Sequence, residues 1–491
     1  MALLFGTDGI REKYPVLNEL NSFLVSYFFV NTIKEDLTDI YIGYDSRFSS
    51  LSLALACASS ITSFFNKNNI NKKVILSNTF TSTPLMAFIS KDKKAYSIQI
   101  TASHNPFYYN GIKIFNKFGK KIEPYLENKI ETQLNEAINL NFKETYRFLD
   151  FKQDNLFHID NKINKFYFKD FSKFYISKII SFFRSFYNEH SINFQNLGKV
   201  LILLDLGNSA ISYLALKVYS KFLDLIFSLN PNLSIDLKFI NNEPNGYNIN
   251  YNCGSVNPNA LESEILKVDS YYDLVLGFTY DGDADRTLAY IKVNNSNNPN
   301  KLLFLDGDLI VLAIVYFLNK IGYKIQKVAL THMSNLAIEK EFNKLGINII
   351  RVNVGDKYIT QAIEEGKAQI GAENSGHVVI PLFLKTGDGL FTSLFFTSAL
   401  FYDINQIINL LNSIKLYPQK LINIKVSDKM EFMEKNKEIF NKIEDYIKGK
   451  GRVFIRPSGT EDLIRILIET YDQKIINEIE NIISKEVIIN V

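Results

Sequence analysis

The 491-residue sequence predicts an α/β protein of three or four domains, ending in a smaller α+β domain. Three observations predict it. The chain is too long for one ordinary core, and 46% of its residues are hydrophobic, enough to fill several. From residue 40 onward, short apolar β-rich runs alternate with longer helical patterns, the signature of largely parallel sheets flanked by helices. Beyond residue 420 the order changes to strand, helix, strand, strand and helix.

The elements follow in order. IYIGY at 40–44 reads as a strand, and the small and apolar residues of 50–66 as a helix. VILSN at 74–78, YSIQI at 96–100 and GIKIF at 111–115 read as strands, and 123–139 as a polar amphipathic helix. The pattern resumes with a strand at 199–205 and a helix after Asn208, then strands at 273–278 and 287–293. It continues through 303–320, 326–331 and 334–345. The last stretch gives 421–426, 430–447, 452–455, 463–469 and a helix near 473–485, with a link near 403–420. Residues 140–198 are dense in Phe, Tyr, Lys and Asn without a clear period. They are expected to be an insertion or a long helical excursion between domains. The Asn-rich 294–300 is expected to be a loop tip. Boundaries are therefore expected at 1–140, an insertion at 141–198, then 199–300, 301–403 and 404–491.

Composition excludes several classes. Charges nearly cancel, 55 Lys and Arg against 52 Asp and Glu, with no block of one sign, so no nucleic-acid partner is expected. Cys57 and Cys253 are the only cysteines, which rules out a disulfide framework or a zinc cluster of thiolates and fits a reducing, cytoplasmic setting. The start MALLFGTDGIREKYP has no basic n-region or adequate apolar h-region. No run supplies about 18 uninterrupted apolar residues, so no membrane partner is expected. Neither a P-loop nor G-x-G-x-x-G is present. Only nine of the 55 cations are Arg: Arg11, Arg47, Arg147, Arg184, Arg286, Arg351, Arg452, Arg456 and Arg465. Where Arg persists in so Lys-rich a chain, its planar fork of donors is expected to be needed.

Four polar loops carry candidate chemistry. Thr101-Ala102-Ser103-His104-Asn105-Pro106 follows a strand, where α/β sheets bind ligands. Ser103 there is a candidate nucleophile or phosphate carrier; by itself the run also reads as a polar turn. Lys113 on the next strand is a candidate acid/base, or simply solvated. Asp281, Asp283 and Asp285 alternate in DGDADR between strands. Three carboxylates so close repel unless a cation is present, and hard oxygen ligands suit Mg²⁺ or Ca²⁺. An EF-hand fails, because Arg286 takes its glycine position and Lys292 its terminal Glu. Glu373-Asn374-Ser375-Gly376-His377 suits sugar hydroxyls or a helix-capping turn. Arg456-Pro457-Ser458-Gly459-Thr460-Glu461, with Arg465 following, offers backbone N–H groups, hydroxyls and guanidiniums for a phosphate, or forms a hairpin turn.

Together the loops resemble the α-D-phosphohexomutase family. FGTDGIR at 5–11, TASHNP at 101–106, NGIK at 110–113, DGDADR at 281–286, ENSGH at 373–377 and RPSGTE at 456–461 stand in the family's order. The resemblance covers nearly the whole chain outside 140–198. NINYNCGSVNPNAL at 248–261, MSNLAIEK at 333–340 and RVNVGDKY at 351–358 look most like the bacterial branch that acts on glucosamine phosphates. The resemblance implies three related α/β domains with mixed sheets plus a smaller C-terminal α+β domain around a central cleft. It implies a phosphoserine at Ser103, with Asp281, Asp283 and Asp285 holding Mg²⁺ beside it. His104 and Lys113 would assist proton transfer, with Arg11 and Arg286 steadying the phosphate. Glu373 and Ser375, with His377 in the same loop, would bind the sugar. Arg456, Ser458, Gly459, Thr460 and Arg465 would hold the unreacting phosphate. The partner implied is a small-molecule sugar phosphate, with a hexosamine 1,6-bisphosphate as activator and intermediate, in a monomer or homodimer. Two rivals stay open: a mutase for glucose or mannose phosphates, and a non-catalytic sugar-phosphate binder. Glu12, Tyr109, Ala372, Asn374 and Asp462 depart from the usual motif residues without removing a proposed chemical group. Seven of the nine Arg lie in or beside these motifs, which points to an anion-binding cleft.

Overall fold

The structure, a computed structural model, describes residues 4–6, 8–138, 166–294, 302–458 and 462–487. Four sheets follow one another along the chain. The first has seven strands in the spatial order Phe5–Gly6, Gly9–Lys13, Tyr109–Phe115, Tyr96–Ile100, Ile40–Tyr44, Val74–Ser77 and Tyr167–Lys169. Its last four strands run parallel, and the others join antiparallel. The second sheet orders Leu302–Leu305, Thr287–Val293, Leu274–Tyr280, Lys199–Asp205 and Ser234–Ile240, with the last three parallel. The third orders Asn348–Val352, Lys327–Thr331, Ile370–Ala372 and Val378–Val379, the last one antiparallel. The fourth is a three-stranded antiparallel sheet of Gln419–Lys425, Leu463–Thr470 and Gly451–Pro457.

Central strands of the first two sheets are covered on both faces. Every residue of Tyr96–Ile100 and of Leu274–Tyr280 is buried, including the polar Ser97, Gln99 and Thr279. Parallel pairing brings the C-terminal ends of these strands to one edge of their sheets, and the polar loops leave from there.

The stretch expected to be an insertion or a long helical excursion between domains is, where described, a strand and a long helix built into the molecule. Tyr167–Lys169 adds a parallel edge strand beside Val74–Ser77. Helix Ser172–Glu189 buries Tyr175, Ile179, Phe183, Phe186 and Tyr187. Phe183 packs on Phe222 at 5.2 Å and on Phe391 at 5.3 Å between ring centroids. The aromatic density of this stretch is thus a core-facing stripe, spaced at four, four, three and one residues, that joins a cluster shared with the second and third sheets. Residues 139–165, and 295–300 of the expected loop tip, lie outside the described residues. The passage to the last domain also falls later than residue 404. Helix Ile404–Ser413 buries Ile407 and Leu411 in the same cluster as Gly389–Tyr402, so it packs with the third domain.

Among the described residues no single helix is long and apolar enough to cross a membrane. Gly389–Tyr402 is apolar because all but its last residue is buried in protein.

Candidate active site

Strand Tyr96–Ile100 delivers Thr101–Pro106 at its C-terminal end. Ser103 takes a left-handed φ of 50°, uncommon outside glycine, asparagine and aspartate. Its N–H donates to Thr101 Oγ1 at 3.0 Å, and its Oγ donates to Asp281 Oδ2 at 2.9 Å. His104 Nδ1 lies 3.4 Å from the same Oγ. The turn is held from behind. Arg47 Nη2 donates to the carbonyls of Ser103 and Asn105, both at 2.8 Å, and Asn250 Nδ2 to the same carbonyls at 2.8 and 3.2 Å. Arg47 is buried and paired with buried Asp45 at 2.9 Å. Its fork therefore grips backbone, and the anion-binding role expected from its place beside a motif does not fit.

Asp281, Asp283 and Asp285 are all buried, with one carboxylate oxygen from each within 4.8 Å of the others. The turn needs a left-handed φ of 56° at Ala284. It also needs glycine at 282, since a Cβ there would meet the Ser103 carbonyl oxygen at 2.5 Å. Non-glycine left-handed residues in two facing loops are the kind of strain that collects at functional sites. Burial, then Asp285 and Asp283, push the Asp281 carboxyl well above the usual carboxylate range. Asp283 Oδ1 and Asp285 Oδ1 are buried without a hydrogen-bond partner. Buried carboxylate oxygens left without a hydrogen bond, in a cluster that includes a serine hydroxyl, fit a hard divalent cation.

Lys113 enters this cluster from strand Tyr109–Phe115. Its Nζ lies 2.7 Å from Asp283, 2.7 Å from Asp8 and 3.4 Å from Asp285. Burial disfavours its charge, but these three carboxylates outweigh burial and raise its pKa above the ordinary lysine value. Burial, with help from Arg286 and Arg11, pushes His104 down to about 3. The two groups expected to share proton transfer thus differ: Lys113 is held charged and His104 neutral. Asp8 also pairs with Arg11 and with Lys121.

The sugar-binding candidates join from the third domain. Arg286 forms an antiparallel bridge with His377. His377 Nε2 accepts from the Gly387 N–H at 3.1 Å, which leaves the proton on Nδ1, 3.8 Å from Asp285 Oδ1. Burial works against the imidazolium, but Asp285, Asp356 and Glu373 raise the His377 pKa. Glu373 Oε1 accepts from the Gly355 N–H at 2.8 Å, and Ser375 Oγ lies 3.5 Å from Glu373 Oε2. Arg286 Nε sits 3.9 Å from Asp281 and 3.8 Å from Asp285.

Arg456, Ser458 and Arg465 form a separate group on the last domain. Arg456 and Arg465 are register partners on neighbouring strands. Burial, then Arg465, lower the Arg456 pKa, and Tyr358 of the third domain lies within its electrostatic reach. Ser458 is buried, and its carbonyl accepts from Lys429 Nζ at 3.1 Å. Gly459 and Thr460 lie outside the described residues. Arg351 and Arg452, like Arg47, hold backbone and acid. Arg351 reaches the Thr331 and Ser334 carbonyls and Glu339, and Arg452 reaches the Ser334 carbonyl and buried Glu469.

The structure thus gathers Arg11, Ser103, His104, Lys113, Asp281, Asp283, Asp285, Arg286 and His377 around one centre, with Glu373 and Ser375 at its side. Sequence reasoning passed over Asp8, Lys121, Asn250 and Asp356. Asp8, Asn250 and Asp356 lie inside quoted motifs; Lys121 carries no motif, and only three-dimensional charge pairing finds it.

Comparison with known proteins decides the family. Models for the Phosphoglucomutase/phosphomannomutase alpha/beta/alpha domains I and III match residues 2–140 and 306–417, and the model for the C-terminal domain matches 421–486. The phosphoglucosamine mutase of Caldicellulosiruptor saccharolyticus is 32% identical, covering 99% of this chain and 98% of the relative. That of Fusobacterium nucleatum is 33% identical over 99% of this chain and 100% of the relative. The chain belongs to the phosphohexomutase family, on its phosphoglucosamine mutase branch. Solved phosphohexomutase structures share the fold. A phosphoglucomutase/phosphomannomutase family protein from Burkholderia thailandensis matches with a TM-score of 0.66 at 15% identity, covering 98% of this chain and 96% of that one. N-acetylphosphoglucosamine mutase of Aspergillus fumigatus, solved with GlcNAc-6P and magnesium, matches at 0.64 and 15%, covering 99% and 95%.

Proposed function

We propose that the chain is an isomerase that interconverts glucosamine 6-phosphate and glucosamine 1-phosphate through phosphorylated Ser103 and a glucosamine 1,6-bisphosphate. This would feed UDP-N-acetylglucosamine synthesis in the cytoplasm. The observation that carries it is the Ser103 hydroxyl, presented by a left-handed turn at 2.9 Å from Asp281 within a buried three-carboxylate cluster. Relatives of full length and similar sequence are named for this activity.

Ser103, through its phosphate, and Asp281, Asp283 and Asp285 would hold Mg²⁺, which when bound neutralises charge on the phosphoryl oxygens. The residues of the chain do the remaining work. In the first transfer the Oγ–P bond of Ser103 breaks as a sugar hydroxyl oxygen bonds to the phosphorus. The hydroxyl proton must end on Ser103 Oγ, and His104 Nδ1, 3.4 Å away, is placed to relay it. The Lys113 ammonium and the Arg11 and Arg286 guanidiniums offset charge on the group in transit. Glu373, Ser375 and His377 hold the sugar; Arg456, Ser458, Gly459, Thr460 and Arg465 hold the phosphate that is not reacting. The bisphosphate then turns over, and its other phosphoryl group returns to Ser103 by the reverse chemistry.

The test is a substrate panel primed with sugar bisphosphate and Mg²⁺. Glucosamine 6-phosphate is expected to give the highest kcat/KM, ahead of the glucose and mannose 6-phosphates. A preference for glucose or mannose phosphate overturns the substrate, and no turnover of any of the three overturns the reaction.

A further inference from the structure

Lys121 lies outside every quoted motif, yet it stands between two of them. The turn 116–120 aims it. Asn116 Oδ1 accepts from the N–H groups of Phe118 and Lys120, and Gly119 takes a φ of 73°. The chain returns so that Lys121 bridges Phe115. Phe115 and Lys113 are two residues apart on one strand and share a face, so the turn brings Lys121 to the face that carries Lys113.

There its Nζ lies 2.5 Å from Asp8 Oδ1 and 2.5 Å from Asp356 Oδ2. Asp8 belongs to the first domain and Asp356 to the third. Asp8 Oδ2 in turn holds Lys113 Nζ at 2.7 Å. Lys113 also meets Asp285 Oδ2 at 3.4 Å, and His377 Nδ1 faces Asp285 Oδ1 at 3.8 Å. Asp356, Lys121, Asp8, Lys113 and Asp285 thus alternate acid and base in one run drawn from three domains. Lys120 adds a second tie between the first and third domains through Glu364.

We infer that Lys121 is a positioning residue for phosphoryl transfer. It fixes Asp8, and through it the Lys113 ammonium, while docking Asp356 and the sugar-loop domain onto the domain that carries Ser103. The role rests on the proposed mutase reaction. Without Lys121, Asp8 and Asp356 repel each other across the domain boundary and Lys113 loses its outer support. A small displacement of a charged group at a transfer site is enough to cost a large factor in rate.

The experiment compares the wild type with Lys121→Met, Lys121→Arg, Asp356→Asn and the Lys121→Met/Asp356→Asn double variant. Unfolding midpoints are taken first, and kinetics are run well below the lowest of them. Lys121→Met is expected to lower kcat at least about tenfold with KM changed less than about threefold, because the aligned charge matters in the transition state. Lys121→Arg, which keeps the charge, is expected to recover most of that loss. The double variant is expected to be no slower than the worse single variant, since both act through one contact. A merely structural lysine lowers the midpoint and leaves kcat alone; kcat within twofold of wild type in folded Lys121→Met overturns the role. Multiplying losses in the double variant overturn the shared path. A wild type that turns over no sugar phosphate fails the functional reading and removes this role with it, whereas an active wild type matched by Lys121→Met fails this inference alone.

Discussion

Arg456 and Arg465 stand directly opposite each other on neighbouring antiparallel strands of the last domain. Like charges in that arrangement destabilise a sheet unless an anion lies between them. Arg465→Ala is expected to blunt the response of the protein to phosphate. It is also expected to increase KM for the sugar phosphate about tenfold or more, the loss of a charged hydrogen bond. Inorganic phosphate should raise the wild-type midpoint and not that of the variant. Equal phosphate shifts in both proteins would remove Arg465 from the phosphate site.

Ser103→Ala removes one hydroxyl from a turn held by Arg47 and Asn250 through backbone carbonyls. The fold should survive, while turnover falls by more than about a thousandfold, as when a covalent nucleophile is lost. Intact mass should show one phosphate on wild type after treatment with sugar bisphosphate and none on the variant. Substantial turnover by the variant would sink the phosphoserine.

The buried three-carboxylate cluster, with Asp283 and Asp285 oxygens that lack a hydrogen bond, predicts a metal requirement. Chelator should abolish activity and Mg²⁺ restore it. Added Mg²⁺ should also raise the unfolding midpoint of wild type, with little effect on Asp283→Asn. Full activity in excess chelator contradicts the assignment.

Arg47 is buried against Asp45 and spends its donors on the carbonyls of the Ser103 loop. Arg47→Met breaks a buried ion pair and leaves Asp45 only the Ser50 and Thr101 hydroxyls and a backbone N–H, which costs about 3–5 kcal/mol. Chemical denaturation should show that loss, together with reduced kcat. A stability change under about 0.5 kcal/mol, typical of a surface site, would mean that Arg47 does not buttress the loop.

Phe183 tests whether helix Ser172–Glu189 is core. It is fully buried against Phe222 and Phe391. Phe183→Ala should cost about 3–5 kcal/mol. An appended helix would tolerate the change within about 0.5 kcal/mol.

Much of the architecture was legible because its signals are local. VLILL within Lys199–Asp205 is an unbroken apolar run, as suits a strand covered on both faces, whereas YSIQI alternates and reads as a strand by its period of two. Helix Ser172–Glu189 was legible only as one alternative, a helical excursion between domains. Its exposed positions, such as Lys173, Ser177, Ser181, Arg184 and Ser185, are polar, but the distant partners of its aromatic stripe, such as Phe222 and Phe391, are set by tertiary packing. Only Ile407 and Leu411 of helix Ile404–Ser413 are buried, and what buries them is another helix, so tertiary packing alone assigns it to the third domain.

The sequence by itself determined the order of the loops, the residue types available for phosphoryl transfer and the family. Each of these is carried by residues within a few positions of one another. Tertiary structure alone decided the electrostatics. Ser103 meets Asp281 across 178 residues of chain, and Lys113 meets Asp283 across 170. The arginines that looked like one anion-binding set divide accordingly: Arg11, Arg286, Arg456 and Arg465 remain candidates for phosphate, while Arg47, Arg351 and Arg452 hold backbone carbonyls and acids. Their chemistry is the same in either place. Whether a guanidinium meets a buried carbonyl or an incoming phosphate depends on which distant segment folds against it, and no local pattern encodes that.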